Sequence, residues 1–270
     1  MKPLPFRIGT TSYIIPDEII PNVRFLAGQV QDVELVLFEA DDGLNNLPDA
    51  ATIQTLKELA RKQQLSYTVH LPLDLRLAAE GDQQHRSILL ARKVIESTLD
   101  LDPWAYVVHL DGREIMNSAN RADIAQWNDQ AVRALEIVAE LLPDARRLAV
   151  ENLEKYPLGF WDEVLRRAPV SRCIDIGHLW YDGHDPLPYL EKHIEQARVL
   201  HIHGMVERDH KSLSNVPIDE LVRVIDFIQR SGFQGVMTIE VFGEEDFQSS
   251  MAALQAALKR LSLEVAWANK

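Results

Sequence analysis

Short apolar segments alternate with longer amphipathic segments along the whole chain, and this alternation predicts the fold. The apolar segments have the length of buried strands, and there are eight of them. The segments between them repeat apolar residues at helical spacing, as Leu221, Val224, Ile225 and Ile228 do. Strands that alternate with helices in this way are typical of parallel sheets.

Eight strand–helix units predict a closed (β/α)8 barrel, the TIM barrel. The expected strands cover residues 6–11, 32–39, 67–70, 106–109, 148–151, 173–175, 200–203 and 237–240. The expected helices cover residues 17–28, 49–64, 83–100, 121–142, 157–168, 185–196, 217–230 and 245–262. A doubly wound open sheet would normally carry a glycine-rich turn after its first strand, whereas this chain has Gly9-Thr-Thr-Ser12 there. Because a TIM barrel takes about 250 residues, we predict one α/β domain over residues 1–270.

Six consecutive predicted strands each end on a histidine or an acidic residue. These residues are His70, His109, Glu151, Asp175, His203 and Glu240. In a parallel barrel all strands point the same way, so their C-terminal ends meet at one mouth. Imidazole and carboxylate groups are ligands for divalent metals. The strand ends therefore predict a metal site at that mouth.

Two of these strand ends have an additional histidine nearby. In Asp175-Ile-Gly-His178 the strand ends on a carboxylate, the glycine allows a sharp turn, and the imidazole returns three residues later. His201 and His203 share one face of their strand because side chains alternate between faces. His203 is nearer the strand end and is the better ligand, whereas we expect His201 to lie one layer deeper in a supporting role.

Some of these residues also have ordinary structural explanations. Taken alone, His70 or His109 could be a core histidine that hydrogen-bonds to a backbone carbonyl. Glu151 and Glu240 are harder to explain in that way, because a buried carboxylate needs a cation or several donors. Glu39 ends the second predicted strand and could either join the site or pair locally.

Residues 204–216 form the longest polar loop that we expect at the mouth. His210 could reach back from this loop as a further ligand. Arg208 and Lys211 are of the types that bind phosphate, although a solvated charged loop is an equal alternative. The remaining histidines, at positions 85, 184 and 193, have no such context, and we expect them at the surface.

The composition narrows the setting of the protein. The net charge of −13 and the pI of about 5.1 disfavour DNA as a partner, because a polyanion is repelled on average. Cys173 is the one cysteine, so no disulfide forms within the chain, which fits a reducing cytoplasm. The sequence has no apolar run of about 18 residues for a membrane span and no signal-like N-terminus. We expect a cytoplasmic protein with no membrane partner.

The ordered set of strand-end residues resembles the xylose isomerase-like TIM barrel superfamily. That superfamily includes sugar isomerases, sugar epimerases and the abasic-site nucleases of the endonuclease IV type (AP endonuclease family 2). Residues Glu151, Asp175, His203 and Glu240 resemble the four ligands of single-metal epimerases. The additional histidines at positions 70, 109, 178 and 210 resemble the multinuclear zinc site of endonuclease IV. The nuclease pattern has an acid two residues before its last histidine, where this chain has Arg208.

The chain also resembles a narrower bacterial family, the cobamide-remodelling phosphodiesterases. The resemblance is carried by residues 9–18, 22–28, 33–39, 67–73 and 209–213. It implies a hydrolase that uses two or three zinc, iron or manganese ions to cleave the nucleotide loop of corrinoid cofactors. In that reading Glu151 and Glu240 are catalytic as well as metal ligands, and Arg208 or Lys211 binds the phosphate.

Three alternatives remain open at this stage. The first is a sugar or sugar phosphate isomerase or epimerase with a single Mn²⁺, Mg²⁺ or Co²⁺, in which Glu151 and Glu240 form the acid/base pair. The second is a non-catalytic barrel that binds a corrinoid or a sugar. The third is cleavage of abasic DNA, which the negative charge disfavours.

Overall fold

A closed barrel of eight parallel strands forms the centre of the molecule, in a computed structural model that describes residues 2–39, 43–72 and 82–265. The strands are β1 (Arg7–Thr11), β2 (Asp32–Val36), β3 (Ser66–His70), β4 (Tyr106–Val108), β5 (Leu148–Glu151), β6 (Ser171–Asp175), β7 (Ala197–Ile202) and β8 (Val236–Ile239). They follow one another around the barrel in chain order, and β8 pairs with β1. The predicted TIM barrel is confirmed.

Helices surround the barrel on the outside. They are α1 (Ile19–Leu26), α2 (Ala50–Gln63), α3 (Arg86–Thr98), α4 (Arg121–Ala139), α5 (Asp162–Arg167), α6 (Ile176–Tyr181), α7 (Pro186–His193), α8 (Ile218–Ser231) and α9 (Glu244–Arg260). The carboxylate of Asp49 caps α2 by accepting the backbone N–H of Thr52 at 2.7 Å. A short parallel pair, Lys2–Pro3 with Leu263–Glu264, joins the two ends of the chain.

The barrel strands have two different faces, as side-chain alternation requires. On β4, Tyr106 and Val108 pack outward into the main core with the helices, whereas Val107 points into the barrel. Inside, Val107 meets small apolar residues of the next strands, including Ala149 and Cys173. This apolar layer fills the barrel below its mouth, and the residues two positions further along each strand stand above it. Three predicted metal ligands, His109, Glu151 and Asp175, occupy that upper layer together with His201.

Strand ends, a short helix and one buried histidine differ from the sequence-based expectations. Strand β2 ends at Val36, three residues before Glu39. The sequence pattern does not predict helix α6, because a helix of six residues is too short to show a periodicity. His193, expected at the surface, is buried at the end of α7, where its ring contacts that of Tyr189. In addition, Leu73, which belongs to one of the resembling stretches, lies outside the described residues.

Within the described parts of the chain, no helix combines the length and the apolar character of a membrane span.

Candidate metal centre

The first ligand group consists of His70, His109 and Glu151, at the ends of β3, β4 and β5. Oε2 of Glu151 lies 2.9 Å from Nε2 of His109 and 3.4 Å from Nε2 of His70. Nδ1 of His70 donates a hydrogen bond to the carbonyl of Leu71 at 2.9 Å. This bond fixes the tautomer, so the lone pair of Nε2 faces the group and is available to a metal.

The second ligand group consists of Asp175, His178, His203 and His210. Nε2 of His203 lies 3.3 Å from Oδ1 of Asp175. The ring of His210 stacks on that of His203 with the ring centres 4.5 Å apart, and the ring of His178 stands edge-on to both. Nδ1 of His178 donates to the carbonyl of Asn152 at 3.0 Å, which leaves Nε2 of this ring for a metal.

The turn from β6 into α6 builds the second group. Asp175 is the N-cap of α6, and its Oδ1 accepts the backbone N–H of His178 at 2.7 Å. Gly177 does not make a sharp turn as expected but lies within the helix. A Cβ on Gly177 would overlap the imidazole of His203 at Nε2. The glycine is therefore needed so that the helix backbone can approach the imidazole.

Glu151 lies between the two ligand groups. Its Oε2 faces the first group, whereas Oε1 lies 3.7 Å from Nδ1 of His178 in the second. Glu240 stands on the other side of the mouth, with Oε2 3.0 Å from Nδ1 of His201 and 3.3 Å from Nε2 of His210. The contact of Glu151 with His178 is on the Nδ1–H side of that ring and does not involve its metal-binding Nε2.

His201 is completely buried beneath the mouth and joins three carboxylates. Its Nε2 lies 3.0 Å from Oε2 of Glu34, and its Nδ1 lies 3.0 Å from Glu240 and 3.3 Å from Glu151. The structure thus gathers Glu151, Asp175 and Glu240 around His201, although the predicted central set had His203 in that position. His203 belongs with the second group.

Glu34 is a buried polar residue of the barrel interior that the sequence analysis missed. It lies in the middle of β2, and its carboxylate contacts His201 and Thr238. A signal for it was present, because polar Asp32 and Glu34 alternate with apolar Val33 and Leu35. That alternation places the carboxylates on the inner face of the barrel. Oε2 of Glu39, in contrast, lies 2.8 Å from Nζ of Lys93 on α3. Glu39 therefore forms an ion pair outside the site, which was the second of the two expectations for this residue.

The donor atoms fit divalent metal ions. Among the described residues, several buried polar atoms have no hydrogen-bond partner, and three of them belong to Asp175 (Oδ2), His203 (Nε2) and Glu240 (Oε2). Leaving such atoms unsatisfied is costly, and a bound cation removes that cost. Within each ligand group the potential ligand atoms lie within 4.8 Å of one another, and the two groups share no residue. The residues present can therefore hold at least two ions.

Without a metal, protons balance the charge of this cluster. Burial lowers the pKa of His210, but the carboxylate of Glu240 outweighs it and the pKa is raised to about 10. Likewise, burial lowers the pKa of His70, but Glu151 raises it to about 9. Burial raises the pKa of Glu151, whereas His201 and His109 hold it well below its ordinary value. Metal binding would displace these imidazole protons.

The loop over residues 204–216 brings His210 to the site. Gly204 and Lys211 exchange backbone hydrogen bonds of 2.6 and 2.9 Å, which close the loop into a hairpin-like turn. His210 sits in the left-handed region with φ 53° and points back at the mouth. Nζ of Lys211 lies 3.2 Å from the carboxylate of Asp246, and Arg208 is exposed on the loop. Their roles as phosphate ligands stay predictions, whereas the eight predicted metal ligands lie together.

A family model described as a xylose isomerase-like TIM barrel matches residues 29–262. The chain belongs to the xylose isomerase-like TIM barrel family. The predicted resemblance of the chain to this superfamily is thereby confirmed. The chain matches no curated protein.

Solved structures share this xylose isomerase-like fold over nearly the whole chain. A D-tagatose 3-epimerase-like protein has a TM-score of 0.74 at 19% identity, over 95% of this chain and 98% of its own. Endonuclease IV from Thermus thermophilus has a TM-score of 0.67 at 19% identity, over 94% and 99%. The 3-keto-D-glucoside 4-epimerase YcjR from E. coli has a TM-score of 0.62 at 14% identity, over 94% and 99%. At these identities the likeness establishes the fold and leaves the reaction open.

Proposed function

We propose that this protein is a metal-dependent phosphodiesterase with at least two ions at the barrel mouth, and that its substrate is a cobamide. The observation that carries the proposal is the pair of separate ligand groups, which share no residue. A single-metal site needs four ligands and has no use for a second group of imidazoles. Two ions about 3.5–4 Å apart suit phosphodiester cleavage, because they activate water and stabilise both the attacking and the leaving oxygen.

The chain's own residues contribute position and charge to this reaction. Oε2 of Glu151 lies 2.9 Å from Nε2 of His109 and 3.4 Å from Nε2 of His70, so three potential ligand atoms converge in the first group. In the metal-free protein His201 and His210 outweigh burial and hold the pKa of Glu240 well below its ordinary value, and a bound cation would favour the same ionised carboxylate. An ionised carboxylate at the mouth is able to accept a proton from the attacking water. We therefore assign Glu240 the role of proton acceptor, and Glu151 that of a ligand that would hold an ion with His70 and His109.

A cavity of about 720 Å³ beside the first two strand ends supports a bulky substrate. Its lining includes Ser12 and Tyr13 after β1, and Phe38 and Asn46 after β2. It therefore opens on the same side of the barrel as the metal ligands. Among the described residues, the lining includes Asp17 and Glu18 but no lysine or arginine, so the cavity suits a non-anionic part of the substrate. Ligand pockets usually have volumes of about 300–1,000 Å³. The volume of this cavity lies in the upper half of that range, so it can take a ligand larger than one sugar ring.

A sugar isomerase or epimerase is the second candidate. Glu151 and Glu240 lie on either side of His201, at 3.3 and 3.0 Å from the same nitrogen, so two carboxylates face one space. Proton transfer at both faces of a carbon next to a carbonyl needs such a pair. Sugar epimerases are also prominent among the structures that share the fold. This reading requires one Mn²⁺, Mg²⁺ or Co²⁺.

One assay separates these functions. The metal-loaded protein is incubated with a cobamide, with bis(p-nitrophenyl) phosphate, with abasic-site DNA and with ketoses such as D-tagatose. We expect cleavage of the cobamide nucleotide loop, loss of that activity in Glu240→Gln, and no ketose turnover. Ketose epimerisation without phosphodiester cleavage would establish the second candidate. Tight cobamide binding without turnover of any substrate would identify a binding barrel.

A further inference from the structure

The loop over residues 152–155 follows β5 and is fastened at both ends to the segment that carries α6. The side-chain amide of Asn152 exchanges two hydrogen bonds of 2.9 Å with the backbone of the last residue of β6. The backbone N–H of Lys155 donates to the carboxylate of Asp182 at 2.7 Å, and Lys155 adopts a left-handed φ of 64°. These two anchors hold the intervening residue Glu154 beside α6.

Glu154 faces the metal-binding nitrogen of His178. Nδ1 of His178 is occupied by the carbonyl of Asn152, so Nε2 carries the free lone pair. Oε2 of Glu154 lies 3.7 Å from that Nε2. This separation is too long for a good hydrogen bond. The separation of the two atoms suits two ligands of one ion. Two atoms that each bind a metal at about 2.0–2.2 Å lie about 3.4 Å from each other at a tetrahedral angle, and further apart at wider angles.

We propose that Glu154 is a further metal ligand, which binds the same ion as Nε2 of His178 on the solvent side of the second ligand group. The side chain of Glu154 is 33% exposed and that of His178 is 4% exposed, so the carboxylate would be the outermost ligand of the cluster. An outermost ligand on an anchored loop limits access of water and buffer ions to the metal. The inference rests on the metal centre of the proposed function and not on its substrate.

The test compares Glu154→Gln with a matched control, Glu163→Gln. The first substitution removes a ligand charge while keeping the shape of a side chain that the fold does not bury. Glu163 is an exposed carboxylate at the start of α5 that pairs with Arg166. Zinc affinity is measured by chelator competition, and the ligand field by the absorption spectrum of the cobalt(II)-substituted protein. We expect Glu154→Gln to weaken one ion by about 10–100-fold and to change the cobalt spectrum, while Glu163→Gln does neither.

Unchanged zinc affinity and an unchanged cobalt spectrum in Glu154→Gln would overturn the assignment. The outcome is independent of the substrate proposal. If the natural protein binds its ions, and Glu154→Gln weakens one of them, but no phosphodiester is cleaved, then the proposed function fails and Glu154 remains a ligand. If the natural protein binds no ion after metal is supplied, both proposals are wrong.

Discussion

Gly177 and His203 are in such close contact that no residue other than glycine fits at position 177. A Cβ there would overlap Nε2 of the imidazole, well inside van der Waals contact. The glycine lies in α6 and the histidine at the end of β7, so this contact sets how closely helix and strand approach. The same Nε2 lies 3.3 Å from Asp175 and lacks a hydrogen-bond partner. The position of the candidate ligand His203 after β7 therefore depends on Gly177 of α6 having no side chain.

Gly177→Ala should displace His203 and weaken metal binding. We expect at least about a tenfold loss of affinity for one ion, comparable to the loss of a residue that orients a metal ligand. Chelator competition on the folded protein measures it. Gly235→Ala is the steric control, because a Cβ there meets Phe233 and the carbonyl of Arg198 before β8 begins, at the opposite end of the barrel. If both variants bind metal equally well, the contact has no role in the site.

The two ligand groups should lose their ions separately. His109→Ala removes a ligand from the first group, and His210→Ala removes one from the second, which shares no residue with it. We expect each variant to lose affinity for a different ion, by about tenfold or more, and the double variant to lose both. Elemental analysis after dialysis gives the ion count, with His184→Ala as a control for loss of an imidazole elsewhere. Loss of all metal in either single variant would contradict two independent sites.

The buried pair of Glu34 and His201 should contribute strongly to stability. His201→Asn leaves the carboxylate of Glu34 without the imidazole at 3.0 Å, inside a barrel where neither side chain is exposed. Breaking such a pair costs about 3–5 kcal/mol of unfolding free energy. Urea unfolding of the metal-free protein measures it. In Glu34→Gln/His201→Asn the two losses should not add, because the pair is already broken; additive losses would show that the two residues act independently.

Stability should fall on mild acidification partly because of His193. Burial lowers the pKa of this imidazole to about 4, and the neighbouring Arg172 contributes to the same shift. The unfolded chain then binds the proton at a higher pH than the folded one, so stability is full above about pH 6.5 and declines towards pH 4. Between about pH 7 and pH 5 this group accounts for at most about 2 kcal/mol. Urea unfolding should show a smaller decline in His193→Gln, and an equal decline would refute the contribution.

The strand ends were predictable because a parallel barrel imposes a simple geometry. Residues at the C-terminal ends of successive strands share one layer, so knowing that strands exist is enough to bring His70, His109, Glu151 and Asp175 together. Buried carboxylates after apolar runs also carry their own signal, because their burial needs a compensating cation. These two arguments predicted from the sequence which candidate ligands the structure brings together.

The remaining features depend on packing that no local pattern records. Helix α6 is too short for periodicity, so the role of Gly177 became visible only from its contact with His203. Glu34 lies mid-strand, and its partner His201 is 167 positions away in the chain. Glu154 faces the site only because its loop is anchored at both ends. Lys211 looked available for phosphate but contacts Asp246 on α9.

The number of metal ions per chain tests the central claim most directly. The protein is purified without chelator, supplied with metal, and measured by elemental analysis beside Glu151→Ala, whose barrel should remain folded. The separate ligand groups predict two or three zinc, iron or manganese ions per chain, and a lower metal content in Glu151→Ala because the substitution removes a ligand of the first group. A single ion, no ion, or an undiminished metal content in the variant would contradict the account.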